Sequence, residues 1–183
     1  HGYTHIPFER LDEREVRLEL QKVRDWSDRL NLNVQTIVFP RNKINHEELL
    51  AEYGIKSYRG RPNNVNVGFL PSAINAFLEE VSILKRAEEA SGGEVVPGGV
   101  FINWQYRMKK VIPCWVSMAK YRHMIGDAVR KNRVAHFWGH PHNFITAPGS
   151  RVLFTQLCGS IARARDEQGL EVLTQIDYCR RLG

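Results

Sequence analysis

The chain has 183 residues, 43% hydrophobic and 25% charged, an ordinary globular balance with enough length to bury a core. No apolar run reaches the ~18 residues of a membrane-spanning helix, and the opening residues lack the apolar stretch of a signal peptide. The net charge of +6 is uneven. Eight basic residues and a single acid, Asp127, fall between Arg107 and Arg133, so the rest of the chain is near neutral.

In chain order, Asp12 and Glu15 have capping-box spacing, and Val16, Leu20, Val23 and Leu30 recur at helical intervals until Asn31 to Asn33 end the helix. Thr36 to Phe39 is a β-rich apolar run stopped by Pro40, which predicts a buried strand. Asn45 is placed to cap a second helix through Leu49, Leu50 and Tyr53, closed by Gly54. Ile55 to Arg59 is the next expected strand. Ser72 precedes a long helical pattern from Ala73 to about Ala90, followed by loop signals at Ser91-Gly92-Gly93 and Pro97-Gly98-Gly99.

A helix is expected from Trp115 to Lys131, a strand over Val134 to Trp138, and a helix from Val152 to Glu167 with Gly169 past its end. Glu171 to Leu173 gives a short strand, and Gln175 to Arg181 a closing helix. Strands alternating with helices predict a parallel α/β sheet or barrel in a single domain over 1–183. The three cysteines, Cys114, Cys158 and Cys179, are odd in number and form no C-x-x-C pair, which argues against a disulfide framework or a cysteine zinc site. Inert thiols in a reducing, cytoplasmic compartment are the expectation.

Three local patterns carry chemistry. His1-Gly2-Tyr3-Thr4-His5 puts two imidazoles four residues apart, near neighbours in a helix and able to converge in a turn. Neutral imidazole is a common ligand for zinc, although a catalytic zinc site ordinarily has three protein ligands. Beyond the late strand runs His136-Phe137-Trp138-Gly139-His140-Pro141-His142-Asn143, at a strand end, where α/β folds place reactive groups. Phe39-Pro40-Arg41-Asn42 also follows a strand, and the backbone N–H groups of such a turn can face a developing oxyanion. Arg59, at another strand end, can bind substrate oxygens or form an ion pair.

Together these patterns resemble the NodB-homology polysaccharide deacetylases, carbohydrate esterase family four, over nearly the whole chain. The family's metal-binding motif is His, Ser or Thr, two residues, His; His1 to His5 has that spacing with Gly2 at the hydroxyl position. Val38-Phe39-Pro40-Arg41 falls on its motif Arg, any residue, Pro, Tyr or Phe, with Val38 for the Arg and Arg41 for the aromatic. His140-Pro141 falls on the motif whose histidine is the general acid. The run from His136 to Asn143 is similar to bacterial members linked to surface-polysaccharide synthesis.

The resemblance implies a distorted (β/α) barrel and a metal-dependent hydrolase that removes an N-acetyl group from a sugar or polysaccharide precursor. It implies one divalent ion, with zinc expected, held by His1 and His5. The Arg41 backbone N–H would be the oxyanion donor and His140 the general acid. His136, His142, Asn143 and Arg59 are expected to bind substrate.

The family's first motif, a pair of adjacent aspartates giving the base and a third metal ligand, has no counterpart here. The expectation is that the first strand, with that motif, is missing from this chain. Two alternatives compete. A mature N-terminal His1 can chelate copper through its amine and imidazole, as in lytic polysaccharide monooxygenases. Or the basic segment 107–133 serves a non-catalytic protein that binds anions or nucleic acid; aromatic residues are not regularly interleaved there, so no nucleic acid is expected.

Overall fold

The computed structural model describes residues 1–62, 74, 78, 85–90, 94–105 and 107–182, with Arg107 and Met108 described by backbone alone. The chain forms two compact units. One comprises His1–Pro62, Ala90–Gly98 and Leu173–Gly183; the other comprises Asn63–Glu89 and Gly99–Val172.

The first unit opens with α1, Glu13–Arg29. Asp12 is its N-cap: the carboxylate accepts from the Glu15 N–H at 2.8 Å, and Glu15 Oε2 accepts from the Asp12 N–H at 2.9 Å. This is the reciprocal satisfaction that capping-box spacing allows. Val16 and Leu20 are fully buried and join Phe8, Ile37, Phe39, Leu49, Leu50 and Ile55 in one core. Three parallel strands lie in the order β1 (Thr36–Ile37), β2 (Ser57–Arg59) and β3 (Val95–Val96). Thr36 pairs with Ser57, and Arg59 with Val96. The last helix of the unit is Gln175–Leu182, which packs on β3.

The second unit holds a two-stranded parallel sheet, β4 (Val100–Phe101) with β5 (Phe137–Trp138). Two N–H groups, from Val100 to His136 O and from Ile102 to Trp138 O, bond across it at 2.8 Å each. Gly99 makes the pairing possible, because its φ is +69° and a Cβ there would meet His136 O at 2.4 Å. Helices α2 (Cys114–Lys131), α3 (Pro141–Thr146) and α4 (Pro148–Gln168) complete the unit, and α5 is Gln175–Leu182 of the first. Val100, Ile102, Met118, Tyr121, Met124, Leu153 and Leu157 form its core. Tyr121 is fully buried and its hydroxyl accepts from the Asn103 N–H at 2.8 Å.

Several sequence expectations are corrected. A (β/α) barrel is not formed: among the described residues the strands are two or three residues long and lie in separate sheets of three and two. Closing a barrel takes about eight tilted, staggered strands. Pro40 ends β1 in a tight 3-10 turn, Pro40–Asn42, and Pro97-Gly98-Gly99 separates β3 from β4, so neither run lengthens.

Glu47–Tyr53 is a 3-10 helix rather than an α-helix, and its N-cap is His46, in a left-handed conformation without a side-chain cap bond, not Asn45. Glu171 to Leu173 is not a strand, and Val134 makes only an antiparallel bridge to Glu88. Residues 85–90 are not helical, so the helix expected to reach Ala90 does not extend over them. The rest of that helix lies mostly outside the described residues, with Ile74 and Leu78 helical. The thiols differ: Cys179 is buried against Ser57 Oγ at 2.9 Å, Cys114 is half-buried and Cys158 is exposed. No helix among the described residues is long and apolar enough to cross a membrane.

The reciprocal cap at Asp12 gives a stability test. Asp12→Ala should lower unfolding free energy by about 1 kcal/mol, the usual cost of losing a side-chain N-cap. Urea denaturation followed by far-ultraviolet circular dichroism measures it, and an unchanged midpoint contradicts it.

Candidate functional site

In the first unit, His1 to His5 is not helical. The chain bends at Tyr3-Thr4, and His5 has a φ of +64°. The bend brings the two imidazoles together, with ring centroids 4.5 Å apart and planes tilted by 55°. The bend is tied to α1, where the Thr4 N–H donates to Glu19 Oε2 at 2.8 Å. Glu19 is buried, and Gly2 packs so tightly that a Cβ would stand 2.8 Å from both Glu19 Oε2 and Phe8 Cε1. The hydroxyl residue of the resembled motif would therefore not fit this backbone. Sequence reasoning missed Glu19; its only signal is a carboxylate beside Leu20 on the buried stripe of α1.

Arg59 lies at the end of β2, 7% exposed, with Nη2 donating to Asn42 Oδ1. Burial pushes its guanidinium down to about 10. The His1 α-amino group is also lowered, first by burial and then by the positive charge of Arg59. That charge favours an anionic or oxygen-rich ligand beside it. Arg41 sits in the turn after β1 with φ +56° and ψ +21°. The turn's hydrogen bonds come from the Asn42 N–H to Phe39 O (2.9 Å) and from the Lys43 N–H to Pro40 O (3.2 Å). Among the described residues the Arg41 N–H has no part in them.

In the second unit, β5 leads directly into His140, the N-cap of α3. The His140 N–H donates to Asn143 Oδ1 at 3.1 Å, and the Asn143 N–H donates to His140 O at 2.9 Å. Asn143 is 1% exposed, so its amide holds the backbone of His140 while the imidazole stands exposed. His142 stacks on His140, with centroids 5.4 Å apart and planes 8° from parallel. Trp138 and Phe101 lie edge-on to one another at 4.8 Å, each 6.0 Å from the His140 ring. Trp104 meets His142 at 5.7 Å and donates from Nε1 to Thr146 Oγ1 at 3.2 Å. His136 is half-buried behind this edge, its carbonyl bonded to Val100. Phe101 and Trp104 belong to the cluster but escaped the sequence reading, because only the pairing of β4 with β5 delivers them.

The structure thus places His1, His5, Arg41 and Arg59 in one unit and His136, His140, His142 and Asn143 in the other. Among the described residues no three His, Cys, Asp or Glu side chains form a metal-binding group. His1 and His5 are near enough to share one ion, and their nitrogen donors suit zinc, which would make them two of its ligands. The basic segment is not one solvated face. Lys120 is fully buried, Lys131 and Arg133 approach Asp127 at 2.7 and 3.7 Å, and Arg133 also pairs with Glu89 at 3.0 Å. Comparison with family models, with curated proteins and with solved structures gives no match.

The tight seat of Gly2 is directly testable. Gly2→Ala should destabilise the chain by about 1–3 kcal/mol, the range for overpacking a close-packed site. The expected result is a lower urea midpoint and weaker hydrogen-exchange protection at the Thr4 amide. A variant as stable as the parent would show that the bend accommodates a Cβ.

Proposed function

We propose that this chain is a metal-dependent carbohydrate N-deacetylase, cleaving the amide C–N bond of an N-acetylated sugar with water to give acetate and the amino sugar. One observation carries the reading: an exposed imidazole, His140, fixed through its backbone by buried Asn143 and flanked by Phe101, Trp138 and His142. The apolar C–H face of a sugar ring stacks on such rings, while an exposed imidazole can pass a proton near neutral pH. The family resemblance of the histidine motifs supports the same reading; the fold does not contribute to it.

In this reading His1 and His5 hold a divalent ion, with zinc expected, which when bound polarises the acetamide carbonyl and acidifies water. The Arg41 N–H hydrogen-bonds the oxyanion that develops on that carbonyl. Arg59, with its depressed guanidinium, binds a substrate oxygen. His140 gives its proton to the departing sugar nitrogen. Asn143 is a positioning residue, His142 offers a stacking face, and His136 supports the strand end. The chain has no adjacent pair of aspartates, so the general base is assigned to none of its residues.

Zinc titration and acetate release from an N-acetylated chitooligosaccharide test this reading. About one equivalent of zinc should bind, and His1→Ala and His5→Ala should each lose it. His140→Ala should keep the zinc and lower turnover by about 10²–10⁴-fold, the usual contribution of a general acid. Retention of zinc by both ligand variants, or its loss in His140→Ala, would overturn the roles. Equal acetate release by the zinc-loaded parent chain and by His140→Ala would count against the role of His140.

A further inference from the structure

Helices α2 and α4 pack together in the second unit, and a cavity of about 270 Å³ lies between them. From α2 come Arg122, Ile125, Gly126 and Arg130; from α4 come Ser160, Arg163, Ala164 and Gln168. On each helix these residues recur at three- and four-residue intervals, so each set occupies one face. Ile125 and Ala164 are buried and make an apolar floor.

The charge in this cavity is unbalanced. Among the described residues Arg122, Arg130 and Arg163 take part in no ion pair. The acids nearest in sequence are used elsewhere or stand apart: Asp127 is engaged by Lys131 and Arg133, Asp166 by Arg165 at 2.7 Å, and Glu167 is not paired with Arg163. Gly126 is mid-helix, where glycine costs about 1 kcal/mol relative to alanine. The Arg130 guanidinium lies back over it, with Nη1 2.9 Å from where a Cβ would stand, a contact that a flexible side chain can relieve by moving.

The three guanidinium groups around this small cavity are exposed, so water and salt screen most of their mutual repulsion, while an anion shared among them is attracted by all three. The same groups also suit the carbonyl-rich C-terminal turns of α2 and α4, a purely structural role. Capping does not account for Arg122, which lies eight residues before Arg130 and more than two turns from the end of α2. Guanidinium forks match phosphate oxygens in pairs. At about 270 Å³ the space lies just below that of drug-sized ligand sites, which suits one charged group of a larger molecule.

We propose that the cavity between α2 and α4 is a binding site for a phosphate or diphosphate group, gripped by Arg122, Arg130 and Arg163 with the Gln168 amide as a further donor. The site is independent of the deacetylase reading and stands or falls without it.

Calorimetric titration of the full chain with inorganic pyrophosphate, and then with phosphate, tests the proposal at low and at moderate ionic strength. One equivalent should bind. Arg122→Gln, Arg130→Gln and Arg163→Gln should each weaken binding about tenfold or more, the worth of a charge-assisted hydrogen bond, and the triple variant should abolish it. A charge-matched control, R10Q, R14Q and K56Q together, removes three exposed cations that do not line the cavity and should leave the affinity within about twofold, since exposed charges are screened. Gly126→Leu should fill the cavity and block binding with no change in charge; if it fails to fold, the arginine variants still decide.

Vesicles carrying a phosphomonoester lipid distinguish a membrane source from a soluble one: retention that the triple variant loses assigns the group to a lipid. No binding of either probe, equal loss in the control, or undiminished binding in the triple variant would each overturn the proposal. An oligonucleotide bound equally by the triple variant and by the control, with pyrophosphate unbound, would overturn it in favour of diffuse attraction.

Discussion

Strands of two or three residues set the terms for this molecule. Each contributes only a few ladder hydrogen bonds, and a small sheet of such strands is marginal in water without helices packed on it. The burden of burial therefore passes to helices and to single close contacts. In the first unit α1 supplies Val16 and Leu20 to the core around Phe8 and Phe39. In the second, α2 and α4 enclose Tyr121, Met118, Met124 and Leu153, and the Asn103 N–H finds the Tyr121 hydroxyl where a longer strand would have offered a carbonyl. Short strands also end early, so the residues just past them come free of the ladder. Arg41 and His140 lie beyond such ends, and Arg59 is the last residue of β2, still in register with Val96.

What could be read from the sequence follows from the range of the forces involved. Helix ends are decided within three or four residues, and Asp12 with Glu15, Gly54 at φ +75° and Gly169 at φ +71° all act as their local chemistry indicates. The limits of α2 and α5 are within a residue of those expected from periodicity. Strand partnership is different, because it depends on segments far apart in sequence. Val95–Val96 and Val100–Phe101 are too short to stand out, and the Pro-Gly-Gly between them reads only as a loop. Alternating strands and helices suggested closure, but alternation alone fixes neither strand number nor stagger. Pattern also failed to separate α from 3-10 geometry over Glu47–Tyr53, where the left-handed His46 supplies no side-chain cap.

The candidate site divides in the same way. His1, His5 and His140 are conspicuous by residue type and spacing. Glu19, Phe101 and Trp104 are not, since each reaches its place through a tertiary contact. Asn143 is an instructive intermediate: it lies in a histidine-rich run and invites a substrate-binding role. Yet its side chain is 1% exposed, and its oxygen is taken by the His140 N–H. An asparagine three residues into a short helix can serve the N-cap backbone as Glu15 serves Asp12. The consequence is mechanical. A six-residue helix is too short to hold its own first turn firmly, so the exchange between His140 and Asn143 fixes where the imidazole emerges.

Close packing and open volume compete between α2 and α4. Gly126 and Ala164 are small enough for two helices to approach closely, and leucines at those places would fill the space with apolar atoms and strengthen the core. The sequence instead leaves the volume and directs exposed arginines to its rim, so charge stands where burial would have been cheaper. Exposed cations close together lose little free energy to each other in water, because solvent and salt screen them. Lys131 and Arg133, in the same basic segment, are matched by Asp127, so neutralisation was available locally and is absent from the three arginines. A cavity whose rim is left positive while its neighbours are paired favours an anion over a cation inside it, and an anion seated there is attracted by all three guanidinium groups.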